Sequence, residues 1–119
     1  MSCDRKCQAL DGAMVTELLH PRHDPVQRVS VAEATVSPGG RTSPHRHPNT
    51  EEIYYTLSGC GQLSVGNQVQ EMTLGSVHLI PPGMEHWVRC LPGAPLRFLC
   101  ICSPPYSDDD TELTGAVQV

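Results

Sequence analysis

Apolar and polar residues alternate along most of this chain in short runs broken by glycine and proline, with the period of two that marks strands. From Glu52 onward one parity holds Glu52, Tyr54 and Thr56, and the other holds Ile53, Tyr55 and Leu57. Phe98, Cys100 and Cys102 alternate in the same way with Leu99 and Ile101, and the parity of His86 selects Val88 and Cys90. Strands are predicted over residues 14–19, 29–36, 53–57, 63–65, 68–70, 76–80, 86–91 and 96–102, about eight in all. Gly66-Asn67 between two of these runs accepts the positive φ of a tight primed hairpin turn. No stretch carries the spacing of a long amphipathic helix. Ser107 before Asp108, Asp109 and Asp110 has the chemistry of a cap with carboxylates in the first turn, and predicts a short C-terminal helix.

With 119 residues the chain fits one domain. Glycine and proline, 10 and 11 in number, favour short strands joined by tight turns. Trp87, Phe98, Tyr54, Tyr55 and Tyr106 are the only aromatic residues, so aliphatic side chains must fill the core. Residues 14–106 are expected to form a β-barrel, residues 1–13 an N-terminal arm, and residues 107–119 an acidic tail whose charges are solvated. A formal charge of −5 without any lysine or arginine cluster argues against nucleic acid as a partner. No apolar run reaches the roughly 18 residues of a membrane span, and the N-terminus lacks a signal peptide's apolar core, so a soluble cytoplasmic protein is expected. In that setting the six cysteines are expected to be reduced thiols. Cys3 and Cys7 are either a metal or redox pair or incidental thiols in a frayed terminus, and Cys60 reads as a buried filler. His20 and His23, set among turn formers, read as solvated.

The chemistry concentrates in two glycine-bounded motifs. The first is Gly39-x5-His45-x-His47-x4-Glu52-x6-Gly59, and the second is Gly75-x5-Pro81-x-Gly83-x2-His86. A His-x-His pair on a strand points both imidazoles to one face. Pro48, Asn49 and Thr50 read as a turn that brings Glu52 back over them, and the Pro81-Pro82-Gly83 turn delivers His86 at the head of another strand. Any one of these histidines alone would be a surface residue by default. Together, three imidazoles and one carboxylate suit manganese, iron, nickel, copper or zinc better than magnesium or calcium, which prefer all-oxygen shells.

The two motifs resemble the paired signature of the cupin superfamily, in particular its small single-domain, type-2 members. That resemblance implies an all-β fold, a single jelly-roll (cupin) β-barrel with the metal inside, held by His45, His47, Glu52 and His86. The implied cofactor is one divalent transition metal, iron or manganese favoured, with nickel, copper and zinc open. Four protein ligands around a metal that prefers six leave two positions, which suits a chelating small-molecule substrate. The reading leans to a metal-dependent dioxygenase or other oxidoreductase; an isomerase, lyase or cyclase, and a non-catalytic metal- or small-molecule-binding protein, stay open. A homodimer paired through an outer sheet is also implied. The chain departs from the pattern at Cys90, where the family commonly carries an asparagine, so an amide hydrogen bond inside the barrel is in doubt.

Parity places Thr56, Val88, Cys90, Phe98 and Cys100 on the pocket face, either as substrate contacts or as plain core packing. Tyr54, two residues after a ligand, reads as an acid or hydrogen-bond donor in catalysis, or else as a buried tyrosine satisfied by backbone. No arginine or lysine falls on those faces, which weakens a sugar-phosphate substrate. His78 is left outside the site.

Overall fold

Two antiparallel sheets face each other, and the computed structural model describes them over residues 5–115. The strands are β1 (Lys6–Gln8), β2 (Met14–Leu19), β3 (Ser30–Val36), β4 (His45–Arg46), β5 (Glu51–Ser58), β6 (Gly61–Val65), β7 (Gln68–Met72), β8 (Val77–Ile80), β9 (His86–Cys90), β10 (Leu96–Ser103) and β11 (Glu112–Leu113). One sheet runs β1-β2-β3-β10-β5-β8 and the other β11-β4-β9-β6-β7, the two halves of a jelly roll. Among the described residues no helix is long and apolar enough to cross a membrane.

The eight strands read from alternation are all present. β1 and β11 come from the segments read as arm and tail. β1 pairs with β2 at Lys6↔Thr16 and Gln8↔Met14, so the arm extends the larger sheet. β11 pairs with β4 through Leu113↔His45, which lays the tail beside the first histidine. Ser107 does cap a turn: its side chain accepts from the Asp109 amide at the start of a 3-10 helix, Asp108–Asp110.

Period two sorts the faces as expected. On β5, Glu52, Tyr54 and Thr56 are buried, and on β10 Phe98 and Cys102 face the same interior. Leu63, Met72, Ile80, Val88, Leu96 and Phe98 fill the interior between the sheets with virtually no exposure. The glycines of the motifs earn their places by geometry. Gly59 has φ +84°, and a Cβ there would lie 2.2 Å from the Pro95 carbonyl oxygen, so only glycine fits between β5 and the turn before β10. Gly83 has φ +80° and donates its amide to the His47 carbonyl at 2.8 Å, tying the turn before His86 to the His-x-His segment. Cys60, expected as a buried filler, is exposed, because the turn after Gly59 carries it outward.

Candidate metal centre

His45 and His86 face each other across β4 and β9 in direct register, with ring centroids 4.2 Å apart. His47 follows on the same side, and Glu52 reaches in from the opposing sheet on β5. All four side chains are buried, His86 completely.

Each imidazole is anchored through Nδ1. His45 Nδ1 donates to the Ser43 carbonyl at 2.8 Å and His86 Nδ1 to the Met84 carbonyl at 3.0 Å. His47 Nδ1 donates to the Thr111 hydroxyl oxygen at 3.1 Å, with the Asp110 carbonyl at 3.2 Å. The Thr111 hydroxyl spends its own proton on the Ser107 carbonyl, so it can only accept from His47. Fixing the proton on Nδ1 leaves Nε2 as the ligand atom, the usual outer arrangement of metal-binding histidines. The three ligand nitrogens lie within 4.8 Å of one another.

Glu52 Oε1 stands 3.3 Å from His47 Nε2 and 3.4 Å from His86 Nε2. Glu52 Oε1 and His86 Nε2 are both buried without a hydrogen-bond partner. Burying such atoms unpaired is costly, and a cation between imidazole and carboxylate removes that cost. These residues therefore fit a metal ion.

The electrostatics of the centre agree. Burial, aided by the neighbouring His86, lowers the pKa of His45 and keeps it neutral. Burial opposes charge on His47 as well, but the Glu52 carboxylate outweighs it and raises the pKa. Burial alone would raise Glu52, whereas His47 and His86 hold it down at about 2. Cys102 donates its thiol to Glu52 Oε2 at 3.3 Å, steadying the carboxylate from behind.

A cavity of about 180 Å³ opens from this centre towards β1, β2 and β3. Ala13, Val15, Ala32, Ala34 and Phe98 make its apolar wall, with Tyr54 and Cys100 between that wall and the ligands. Tyr54 is 3% exposed and packs on Phe98 at 4.7 Å, and its hydroxyl makes no hydrogen bond to protein among the described residues. Burial, with the Glu52 charge second, pushes the Tyr54 phenol and the Cys100 thiol up, so both stay protonated. Arg22 is the lone lysine or arginine on the wall among the described residues, and its guanidinium is held by the Glu17 carboxylate.

Thr56, Val88 and Cys90 are not in the cavity wall. Parity turned them inward correctly, but the barrel is packed solid at their depth. Thr56 shares a hydrogen bond with the Ser76 hydroxyl at 3.0 Å, Val88 lies in the core, and the Cys90 thiol contacts the Leu91 and Ala94 carbonyls at 3.2 Å each. His20 and His23, read as solvated, are engaged: His20 Nε2 meets the Tyr106 carbonyl at 2.9 Å and His23 Nε2 meets Glu17 at 2.9 Å. The acidic run is not simply solvated either. Asp110 accepts from the amides of Asn49 and Thr50 and so braces the turn between His47 and Glu52. His78 bonds Gln70 and Ser76, away from the ligands. Cys3 lies outside the described residues, and Cys7 is exposed.

A jelly roll with three clustered imidazoles and a buried carboxylate beside them defines a class of small barrel proteins with a candidate metal site. The chain belongs to the Cupin domain family, which matches residues 32–102. It is 41% identical over 103 residues to an uncharacterized protein of Methanocaldococcus jannaschii, covering 87% of this chain and 82% of that one. Among solved structures, an uncharacterized conserved protein with a double-stranded β-helix domain from Klebsiella pneumoniae superposes with TM-score 0.74 at 17% identity, covering 96% of this chain and 94% of that one. Lactobacillus farciminis oxalate decarboxylase superposes with TM-score 0.79 at 24% identity, over 93% of this chain and 33% of that one. Likeness at these identities extends to the fold alone.

Proposed function

We propose that this protein is a mononuclear metal-dependent enzyme acting on a small organic molecule that chelates the metal through two oxygen functions. The observation that carries the proposal is a cluster of three imidazoles, two of them with Nε2 within 3.4 Å of an unpartnered, buried Glu52 Oε1, beside a largely apolar cavity. An apolar cavity of about 150 Å³ takes up benzene, so this one suits a single ring or a molecule of similar size. Among the described residues its wall offers no free cation to a phosphate or a dianion, which favours a substrate of low charge.

Iron or manganese is the metal we favour, given mixed imidazole and carboxylate donors. When bound, the metal would supply Lewis-acid polarisation of the chelated oxygens and a redox partner for dioxygen. The protein's own part is to hold the donors in one tautomer, to keep water away with Phe98 and the alanine-lined wall, and to present the Tyr54 hydroxyl as a neutral donor beside the substrate. Cys100 and Cys102, held as thiols, act as small lining groups rather than nucleophiles. Oxidation by dioxygen is the leading chemistry. Lyase or isomerase chemistry on the same chelate is the second reading, supported by the neutral Tyr54 hydroxyl, which has no protein hydrogen-bond partner among the described residues and can donate to a substrate oxygen. We further infer that two copies pair through the outer face of the larger sheet, where Tyr55, Val77 and Leu79 are exposed.

Elemental analysis of untagged parent and His47→Ala protein, followed by dioxygen-uptake and product screens, tests the proposal. About one iron or manganese per parent chain, lost in the variant, with substrate-dependent dioxygen consumption is the expected result. Metal with turnover but no dioxygen consumption selects the lyase or isomerase reading. Saturable ligand binding without product would leave a binding protein, and no metal after reconstitution would overturn the metal reading.

A further inference from the structure

A second carboxylate faces the centre from outside the two motifs. Asp11 sits in the turn joining β1 to β2, a turn closed by the Gly12 amide on the Ala9 carbonyl (2.9 Å) and the Ala9 amide on the Ala13 carbonyl (2.8 Å). Its Oδ1 accepts from the Ala13 amide at 3.0 Å, and its carbonyl accepts from the Ser43 amide at 2.8 Å. Asp11 is therefore pinned from both sides. Its other oxygen, Oδ2, points at His45 Nε2 across 3.6 Å, and its side chain is 14% exposed.

Because His45 Nδ1 donates to Ser43, its neutral Nε2 carries a lone pair, not a proton. A lone pair facing a carboxylate oxygen is a repulsive contact unless a cation joins them. The same juxtaposition marks Glu52 as a ligand, where Oε1 faces His86 Nε2 and both atoms are buried and unpartnered. Asp11 shares with Glu52 the facing of a carboxylate oxygen and an imidazole Nε2, at 3.6 Å, with a side chain that is mostly but not fully buried. At 3.6 Å from His45 Nε2, Oδ2 would need only a small side-chain rotation to share a metal with that histidine.

We propose that Asp11 is a fifth protein ligand, which ties the β1–β2 turn to the metal and leaves one open position until a chelating substrate displaces it. The proposal rests on the metal reading of the centre and adds a gate to it. The turn that carries Asp11 also lines the cavity through Ala9, Leu10 and Ala13, so substrate entry and release of Asp11 involve the same segment.

The test compares parent and Asp11→Asn protein by chelator competition for manganese or zinc, and by amide hydrogen exchange with and without metal. Asparagine keeps the Oδ1 acceptor for the Ala13 amide and replaces only the oxygen facing His45, so the turn is retained. Metal should bind the variant about tenfold or more weakly. Metal should also slow exchange of the Ala9 and Gly12 amides in the parent and not in the variant. Equal affinities overturn the assignment while leaving the four-ligand centre intact. Weaker binding with no metal effect on exchange in the parent also overturns it, reducing Asp11 to a nearby charge. A parent that binds no metal sinks both readings.

Discussion

His47 depends on a hydroxyl 64 positions further along the chain. Thr111 accepts its Nδ1 proton, and Thr111→Val would leave only the longer contact to the Asp110 carbonyl. Metal affinity is expected to fall about tenfold, read by chelator competition, with a small change in melting temperature because Thr111 lies outside the hydrophobic core. The same histidine sets the pH response. Its raised pKa means that a metal ion must displace a proton from it even above the ordinary value of 6.5, whereas His45, lowered by burial, is already neutral there. Metal affinity should therefore decline as pH falls from the neutral range, by about tenfold per unit for each proton displaced, and titration of bound metal against pH checks this. Retention of metal to pH 4 at equilibrium would count against imidazole ligands. Glu52 adds nothing to that window, since its pKa of about 2 keeps it ionised throughout.

The strands locate these residues, and the turns set the reach of each strand. β5 ends at Ser58 because Gly59 takes a left-handed φ against the Pro95 carbonyl. Gly59→Ala adds both an unfavourable φ and a clash with backbone that cannot move without displacing β10. A loss of more than about 2 kcal/mol is expected, seen as a fall of roughly 8 °C or more in melting temperature. Glu52 and Tyr54 lie on the strand so displaced, paired with Cys102 and Cys100 of β10, so metal affinity should weaken with it. Alternation showed β9 and β10 to within one residue and β5 to within two, because strands with one buried face must alternate. β4 was legible only through the His-x-His pair that starts in it, and β1 and β11, two or three residues long, leave no such trace; pairing with β2 and with β4 creates them.

At the scale of the whole molecule, one surface stands out. On the outer face of the larger sheet the register places Tyr55 beside Val77 and Leu99, and Ile53 beside Leu79 and Ile101, giving a continuous apolar area. If two copies pair there, Leu79→Lys should convert a dimer to a monomer in sedimentation analysis without loss of metal; a monomeric parent would remove the proposal. The sequence by itself determined the sheet-forming pattern and the donor set of the two motifs. His45, His47 and Glu52 lie within one short stretch, and His86 follows a proline-glycine turn, so local geometry was enough to read them. Only the tertiary structure decided how deep the cavity runs and what else faces the histidine cluster. Parity tells which side of a strand a residue occupies but not its depth along the barrel, which is why Thr56, Val88 and Cys90 lie in packed core while Tyr54, Phe98 and Cys100 border the cavity. Asp11 and Thr111 come from polar segments with no periodic signal, and their roles arise from contacts with His45 and His47 that chain folding alone creates.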